Sequence, residues 1–381
     1  MPSAIVVGAG VFGSSLARHL AGAKWDVTLV DRYPPGHVRA ASGGESRLLR
    51  YAHGSDRWYT RSARRARELW RDVEAEGGIE LLVEVGVLWL AHREDGWEAE
   101  SERALRDQGI PIERLAAEDA ARLFPSFDPG GLAFCIHEPE AGVLRARDAT
   151  RALADQARAR GARFVGGVAR PAGAEVDVEG ERLGADTVVW ACGAWLPSLF
   201  PGLVHLRVTR QDVFFFGAPL AWQTPPLPAW MDYDEGVYGL GDLDGRGVKA
   251  APDREGPEFD PDRDSRSPSA EAEGATRAYL ERRFPELAGA PLVGTRSCPY
   301  ALTPDTNFIV ARHPEHDRVW ILGGGSGHGF KHGPALAEYV ASLLKGTVEP
   351  DERFGLAARA PGPGFRAAPL VARSDSGGST V

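Results

Sequence analysis

The chain has 381 residues, enough for about two domains, and its 43% hydrophobic and 25% charged residues are typical of soluble globular proteins. A formal net charge of −9 argues against nucleic acid or an anionic membrane as the main partner. No uncharged apolar stretch reaches the roughly 18 residues that span a bilayer, and we expect no signal peptide. Three cysteines, Cys135, Cys192 and Cys298, predict neither a disulfide framework nor a metal site. These features predict a cytoplasmic protein without a bound metal.

The first 31 residues follow the order strand, glycine turn, helix and second strand. A short apolar run, Ala4–Val7, leads into the turn, and a second run, Val27–Val30, ends in Asp31. Three glycines of the turn form a GxGxxG motif: Gly8, Gly10 and Gly13. In a dinucleotide-binding fold they permit the tight turn, the approach of a pyrophosphate and the packing of helix on strand, while the acid accepts hydrogen bonds from a ribose. The alternative is a glycine-rich βαβ turn that holds no ligand.

Two arginines follow a run of small residues, Ala40–Gly44, that would let the backbone pass close to a flat ligand. Arg47 and Arg50 stand three apart, so on a helical turn they would share one face. An anion bound between the two side chains would relieve their repulsion. A solvated basic face is the alternative interpretation.

Hydrophobic spacing predicts the elements that follow. The segment Gly96–Leu123 is charged and mainly helical. Apolar strand patterns return at Arg163–Val168 and Thr187–Cys192, and the second of these leads into a tight turn, Gly193–Trp195. From Leu206 to about Thr295, aromatic and β-branched residues predict a mostly antiparallel sheet.

The C-terminal part repeats the order of the opening. A strand, Val319–Leu322, is followed by a glycine run, Gly323–Gly329, and by a helix, Pro334–Leu344. A strand, a glycine turn and a helix at each end of the chain suggest one elongated ligand between them. FAD is long enough, with its adenosine on the first motif and its flavin near the last.

The predicted fold class is α/β with added antiparallel β structure. A Rossmann-like FAD-binding domain takes residues 1–80, 143–205 and 296–360 and is therefore discontinuous in sequence. A substrate domain with a mostly antiparallel sheet takes residues 81–142 and 206–295. Residues 361–381 are rich in Pro, Gly and Ser and are predicted to be disordered.

Five motifs carry a family resemblance: GGESRLLR at 43–50, EPEAGVL at 138–144, RQ at 210–211, CPYALTPD at 298–305 and SGHGFK at 326–331. In these motifs, and over roughly residues 3 to 360, the chain resembles the monomeric sarcosine oxidase family. That family includes N-methyltryptophan and pipecolate oxidases, within the D-amino-acid oxidase/glycine oxidase group. The resemblance implies the fold of that group and a flavoenzyme that oxidises the C–N bond of a secondary amino acid. The imine hydrolyses to an amine and a carbonyl product, and O2 is reduced to H2O2.

The resemblance also implies roles for individual residues. Cys298 matches the cysteine that carries FAD through a thioether to the flavin 8α-methyl, and Lys249 matches a lysine near flavin N5 credited with oxygen activation. Arg50 and Lys331 match a pair that binds the substrate carboxylate, for which a guanidinium fork and an ammonium are well suited. Three more residues match positions beside the flavin or in the pocket: Arg47, Tyr238 and Tyr300. Without the resemblance, a small buried cysteine, a surface lysine and a helix-start residue are the simpler interpretations.

The predicted FAD contacts extend along both glycine turns and the segments between them. They are Gly8, Gly10, Val11, Phe12, Gly13, Asp31, Arg32, Ser42, Gly43, Ser46, Arg47, Val168, Gly193, Trp195, Cys298, Gly325, Gly327, His328, Gly329, Phe330 and Lys331. The expected partners are a small amino-acid substrate and O2, in a monomer or a small homo-oligomer.

Three positions depart from the family pattern. Ser42 and Gly43 stand where the family often has one or two histidines, and Asp253 stands where it often has another. Because a missing imidazole at Gly43 would open space, we expect an N-alkyl glycine larger than sarcosine as the substrate, unless neighbouring side chains refill the gap.

Two other functions stay open. One is a flavin dehydrogenase or desaturase of a cyclic or N-methyl amino acid with another electron acceptor, and the other is a non-enzymatic FAD-binding protein.

Overall fold

The computed structural model describes residues 1–357, so the tail predicted at 361–381 lies outside the described residues. Within that range the α-helices are α1 Val11–Gly22, α2 Arg57–Gly77, α3 Trp97–Asp107, α4 Ala117–Ala120, α5 Ala146–Ala159, α6 Leu196–Leu199, α7 Ala270–Arg283 and α8 Gly333–Leu344. The strands are β1 Ser3–Val7, β2 Asp26–Asp31, β3 Ser46–Leu49, β4 Leu82–Val83, β5 Val87–Ala91, β6 Glu113–Leu115, β7 Phe134–Glu138, β8 Gly142–Arg145, β9 Arg163–Gly166, β10 Ala169–Ala172, β11 Glu175–Val178, β12 Glu181–Leu183, β13 Thr187–Trp190, β14 Arg207–Phe216, β15 Ala229–Asp232, β16 Val237–Leu240, β17 Val248–Pro252, β18 Leu292–Leu302, β19 Ile309–Arg312 and β20 Val319–Gly323. Among these helices, none is long and apolar enough to cross a bilayer.

A six-stranded sheet has β1 near its centre, in the order β19-β20-β13-β1-β2-β9. Its strands are parallel except for β19, which runs antiparallel to β20. Ala4 and Val6 of β1 pack in the core on the side of α1 and α8, whereas Ile5 and Val7 pack on the opposite face against the β10–β12 meander. Burial of both faces explains why these strands are almost continuously apolar. The sheet therefore combines segments from the start, the middle and the end of the chain.

The turn after β1 holds α1 close against the sheet. A Cβ atom on Gly13 would lie 1.8 Å from the carbonyl oxygen of Gly8. The helix α1 can therefore pack this close to the end of β1 only because residue 13 is a glycine. Gly8 itself has a φ of +105°, which residues with side chains rarely adopt. The same turn therefore places the first residues of α1 beside the end of β1.

An eight-stranded sheet forms the other half of the molecule, in the order β18-β14-β17-β16-β15-β5-β7-β6. The predicted mostly antiparallel sheet is confirmed, because β15 and β5 are its one parallel pair. The division into two domains stays a prediction. At the predicted boundary at residue 296, however, the strand pairing does not follow the predicted division. Residues 296–302 lie on β18, which pairs with β14 in this sheet and not with the six-stranded sheet.

A small antiparallel sheet, β3-β8-β4, corrects the prediction for the two arginines. Arg47 lies on β3, where it is paired with Leu144 of β8, and Arg50 follows the end of that strand. Successive side chains of a strand alternate in direction, so residues three apart point to opposite sides. The prediction of a shared helical face was wrong because pairing with β8, a contact distant in sequence, determines the local structure.

Candidate functional site

A cleft of about 490 Å³ opens where strands of the six-stranded sheet end. The residues that follow β1, β2, β13 and β20 line it, as is usual for ligand sites of parallel α/β sheets. Fifteen predicted FAD contacts line the cleft: Gly8, Gly10, Val11, Phe12, Asp31, Arg32, Ser42, Arg47, Val168, Gly193, Trp195, Gly325, Gly327, Gly329 and Phe330. Tyr300 also lines it. Six predicted contacts lie outside this lining: Gly13, Gly43, Ser46, Cys298, His328 and Lys331.

The N-terminus of α1 points its first backbone N–H groups at the cleft. Gly10 precedes the helix, no side chain caps these groups, and the first turn carries no acidic residue. A Cβ on Gly10 would approach only Ser42 Oγ, at 3.4 Å, so the backbone is open on this side. An uncapped helix N-terminus with an open glycine suits a phosphate group.

Asp31 closes the opening motif at the edge of the cleft. Its Oδ2 accepts a hydrogen bond from the backbone N–H of Ala9 at 2.7 Å, and its Oδ1 accepts one from Tyr33 at 2.8 Å. Burial raises the pKa of Asp31, although these two hydrogen bonds act in the opposite direction. The carboxylate is thus fixed in orientation, and each oxygen keeps a second lone pair for a ribose hydroxyl.

Asp262 is a site residue that sequence reasoning missed. Its carboxylate pairs with Arg32, and its Oδ1 accepts a hydrogen bond from Trp195 Nε1 at 3.0 Å. The guanidinium carbon of Arg32 lies 4.7 Å from the Tyr33 ring centre and 5.1 Å from that of Trp195. The loop that carries Asp262 is remote in sequence from both partners, so its acidic composition was the one available signal.

Five side chains from four segments meet near the other end of the cleft. A guanidinium nitrogen of Arg47 lies 3.5 Å from Cys298 Sγ, and Lys249 Nζ lies 5.1 Å from the ring centre of Tyr238. Cys298 and Tyr300 share one face of β18. Burial by itself lowers the pKa of Arg47. The pKa is nevertheless raised overall, because Cys298, Tyr238 and Tyr300 lie close to the guanidinium. The structure thus brings together residues that the sequence analysis selected separately.

Lys249 is a buried cation, with 3% of its surface exposed. Its neighbours on β17, Val248 and Ala250, pack in the core on the opposite face of the sheet. The Nζ atom donates hydrogen bonds to Ser46 O at 3.2 Å and to Ser46 Oγ at 3.1 Å. Burial, followed by the charge of Arg47, lowers the pKa of Lys249 to about 7. Its charge therefore changes within the physiological pH range.

Arg50 and Lys331 form a second pair of buried cations. Arg50 donates to Ala52 O, and its guanidinium carbon lies 5.1 Å from the ring centre of Trp89. Lys331 Nζ donates to His328 O at 3.0 Å. Burial, followed by repulsion from Arg50, lowers the pKa of Lys331 well below its usual value. A carboxylate bound between the two side chains would offset this repulsion.

Comparison with known proteins agrees with this geometry. The sequence profile of the FAD dependent oxidoreductase family matches residues 3–343. The chain belongs to this family. It is 32% identical to monomeric sarcosine oxidase of Streptomyces avermitilis, over 90% of this chain and 94% of that one. It is 25% identical to N-methyl-L-tryptophan oxidase of Yersinia pestis, over 91% and 95% of the two chains. L-proline dehydrogenase from P. horikoshii shares the fold, with a TM-score of 0.82, 22% identity, and coverage of 93% and 96%.

The FAD of this family fits the residues of the cleft. The open N-terminus of α1 suits the pyrophosphate, and Asp31 suits the adenosine ribose. The cleft continues to the second glycine turn, which includes Gly325 and Gly329, and to Arg47. These features extend along an elongated cleft, as expected for a dinucleotide.

Two departures from the sarcosine oxidase pattern have different outcomes. A Cβ on Gly43 would lie 1.9 Å from the backbone oxygen of His37, so this glycine permits two backbone segments to touch. The expectation that Gly43 opens room in the pocket is therefore wrong. Asp253, in contrast, lies close enough to favour the charged form of Lys331, although burial and Arg50 outweigh it. Asp253 is half-buried, and its carboxylate acts on the charge of Lys331.

Glu138 positions Arg50, a role that sequence reasoning did not assign. Its Oε2 accepts from the backbone N–H of Tyr51 at 2.6 Å, and its Oε1 accepts from Trp89 Nε1 at 2.6 Å and from the N–H of Ala52 at 3.3 Å. Burial raises the pKa of Glu138, against the effect of these bonds and of Arg50. The available signal was its place as the first residue of the EPEAGVL motif, to which no role was attached.

We expect the Glu138→Gln variant to bind small carboxylates such as acetate about tenfold more weakly, the equivalent of about 1.4 kcal/mol. The amide replaces one acceptor oxygen with a donor, so a buried N–H of Tyr51, Ala52 or Trp89 loses its partner and the segment after Arg50 shifts. Titration of the holoenzyme, followed by its flavin absorbance, measures this affinity. Glu140→Gln in the same motif is the control, and equal affinities of the two variants would contradict the role.

Proposed function

We propose that the protein oxidises the C–N bond of a secondary amino acid, with bound FAD as electron acceptor and O2 as final oxidant. The amine loses two electrons and two protons to give an imine, water hydrolyses the imine to an amine and a carbonyl compound, and O2 becomes H2O2. The observation that carries the proposal is the presence of two cation pairs, Arg50 with Lys331 and Lys249 with Arg47, in which both lysines and Arg50 are buried. Membership of the FAD-dependent family supports it, as do relatives named for oxidation of sarcosine and N-methyl-L-tryptophan.

Arg50 and Lys331 bind the substrate carboxylate in this proposal. A guanidinium offers two parallel donors and an ammonium adds a point charge, so together they fix the orientation of an amino acid. Both side chains are buried, which strengthens their attraction for an anion relative to the same charges in water. Since Gly43 provides no added room, the size of the group on nitrogen is decided by the substrate panel below.

Lys249 and Arg47 stabilise negative charge during electron transfer to oxygen. Arg47 lines the cleft together with Tyr300. Lys249 donates to Ser46, the residue before Arg47, and has no acidic partner among its hydrogen bonds. Fixed cations in a site shielded from water stabilise charge as it develops. The pKa of about 7 means that Lys249 is cationic below neutral pH and loses its charge as the pH rises through that value.

Cys298 holds FAD covalently through its sulfur in this proposal. Cys298 is 4% exposed, and its Sγ lies 3.5 Å from a guanidinium nitrogen of Arg47. Arg296, two residues earlier on β18, is ion-paired with Glu45. Arg47 is therefore the cation whose guanidinium contacts the sulfur.

A panel of amines tests the function as a whole. We expect H2O2 from N-substituted amino acids such as sarcosine, proline, pipecolate, N-methyltryptophan and N-carboxymethyl amines, and none from dimethylamine, which is sarcosine without its carboxylate. The Arg50→Met variant should raise KM more than tenfold, corresponding to about 1.4 kcal/mol or more. Reduction of an artificial electron acceptor without H2O2 would indicate a dehydrogenase. If no N-substituted amino acid reduces the flavin, the proposed activity is wrong.

We expect acid precipitation of the wild-type protein to leave the flavin in the pellet and precipitation of Cys298→Ala to release it, because the alanine cannot form a thioether. Absorbance at the flavin maximum in pellet and supernatant measures the partition. Cys192→Ala is the matched control, since Cys192 lines the cleft itself. Release of the wild-type flavin into the supernatant would refute covalent attachment.

We expect Lys249→Met to slow reoxidation of the reduced enzyme by about a hundredfold to a thousandfold, as for loss of a preorganised charge. Reduction by the amine should change much less, because the cation acts on oxygen. In the wild type, reoxidation should slow as the pH rises through the pKa of Lys249, and this step should vanish in the variant. Stopped-flow absorbance measures both half-reactions, with the exposed Lys345→Met as control. Equal reoxidation rates would remove Lys249 from the oxygen reaction.

A further inference from the structure

Three histidines from both ends of the chain meet behind the second glycine turn. His53 follows β3, whereas His328 and His332 flank Lys331 near the start of α8. All three are buried, with exposures of 1%, 7% and 0%, and one ring nitrogen of each lies within 4.8 Å of one ring nitrogen of the other two. Their ring centres lie 5.3–6.0 Å apart. We call this group the histidine cluster.

Hydrogen bonds hold one nitrogen of each ring. His53 Nδ1 lies 2.9 Å from Tyr51 O, and His328 Nε2 lies 3.0 Å from Thr306 O. A carbonyl oxygen can only accept, so both of these nitrogens carry the proton, and the other nitrogen of each ring presents a lone pair. His332 Nδ1 lies 2.9 Å from Ser62 Oγ. Metal-binding histidines are typically oriented in this way, by a hydrogen bond from the nitrogen that does not bind the metal.

His332 supplies an independent indication of a ligand. Its Nε2 is buried and has no hydrogen-bond partner among the described residues. Burial, followed by the charge of Lys331, lowers the pKa of His332 well below its usual value, and burial and Lys331 do the same for His53. Neutral imidazoles are the form that binds metals. A buried ring nitrogen without a hydrogen-bond partner is costly in either tautomer, and in the tautomer with its proton on Nδ1 a cation at Nε2 removes that cost.

The spacing is within reach of that of a three-histidine metal centre. Imidazole nitrogens bound to zinc at about 2.1 Å in tetrahedral geometry lie about 3.4 Å apart, so nitrogens within 4.8 Å of one another must approach by up to about 1.4 Å. Three protein ligands leave the fourth position of a tetrahedral ion for water.

Nearby charge restricts which metal can bind. The cations Lys331 and Arg50 act on the cluster and disfavour any dication. Magnesium and calcium prefer oxygen ligands and would not overcome this repulsion, whereas zinc binds neutral imidazole strongly.

We propose that His53, His328 and His332 form a zinc site that fastens the loop after β3 to the turn before α8. Arg50 precedes the first of these ligands in the chain, and Lys331 lies between the other two. The metal would therefore connect the two segments that carry the proposed carboxylate-binding residues. The site is structural and takes no part in electron transfer.

Zinc content and stability of the FAD-loaded enzyme test this proposal. After incubation with zinc and desalting, we expect about one zinc per wild-type chain by mass spectrometry and less than about a tenth of that in His332→Phe. Phenylalanine keeps an aromatic ring in the core, so loss of folding does not explain loss of metal, and bound flavin confirms that the variant is folded. Ser62→Ala keeps all three ligands and should weaken zinc binding about tenfold.

Cobalt provides a spectroscopic check. Cobalt(II) bound in tetrahedral geometry should absorb between about 500 and 650 nm, beyond the main absorption of oxidised flavin, and His332→Phe should lack these bands. His316→Phe is the control, because the stacked and half-buried pair of His313 and His316 is a place where adventitious metal could bind. Less than about a tenth of a zinc per wild-type chain, or equal content in wild type and His332→Phe, would overturn the proposal. Either result would leave amine oxidation by the enzyme unaffected, so the two proposals fail independently.

Discussion

Repulsion between buried cations is the constraint around which this site is arranged. Lys249 lies beside Arg47, and Lys331 lies beside Arg50, so burial and like charge both lower the pKa of each lysine. Hydrogen bonds to backbone oxygens, such as those of Ser46 and His328, satisfy the ammonium groups without neutralising them. A site of this kind costs stability, and the cost is recovered when anionic groups bind. The same arrangement that destabilises the empty site gives it selectivity for anions.

The two large sheets supply different parts of this charge. Lys249 and Cys298 come from β17 and β18 of the eight-stranded sheet, whereas the cleft itself opens at the ends of strands in the six-stranded sheet. Between them, β3 supplies Arg47, and Ser46 on the same strand accepts both hydrogen bonds from Lys249. This short strand is therefore the physical link between the cofactor cleft and the lysine assigned to oxygen chemistry. Rigid sheets on both sides fix the relative positions of these groups better than loops would.

Local patterns allowed part of the structure to be predicted from the sequence. The glycine motif with its flanking strands, and the mostly antiparallel character of the second sheet, depend on residues close in sequence and were predicted correctly. Contacts between segments distant in sequence could not be predicted from local patterns. Gly43 was interpreted as empty space because its contact with the backbone of His37 is visible only in the fold. Glu138 was not assigned a role because its three donors belong to segments 49 to 87 residues away.

The histidine cluster shows the same limit, since about 275 residues separate His53 from its two partners and no spacing motif connects them. Its position behind Lys331 also has an electrostatic consequence. A dication there would add two positive charges near the pair formed by Arg50 and Lys331, and at most one of these is offset if Lys331 loses its proton. The net potential at the pair would therefore become more positive, and a carboxylate would bind more tightly. By thermodynamic reciprocity, a bound carboxylate would strengthen metal binding by the same factor. The neutral histidines thus provide a means of coupling the zinc site to substrate affinity without any direct contact with the substrate.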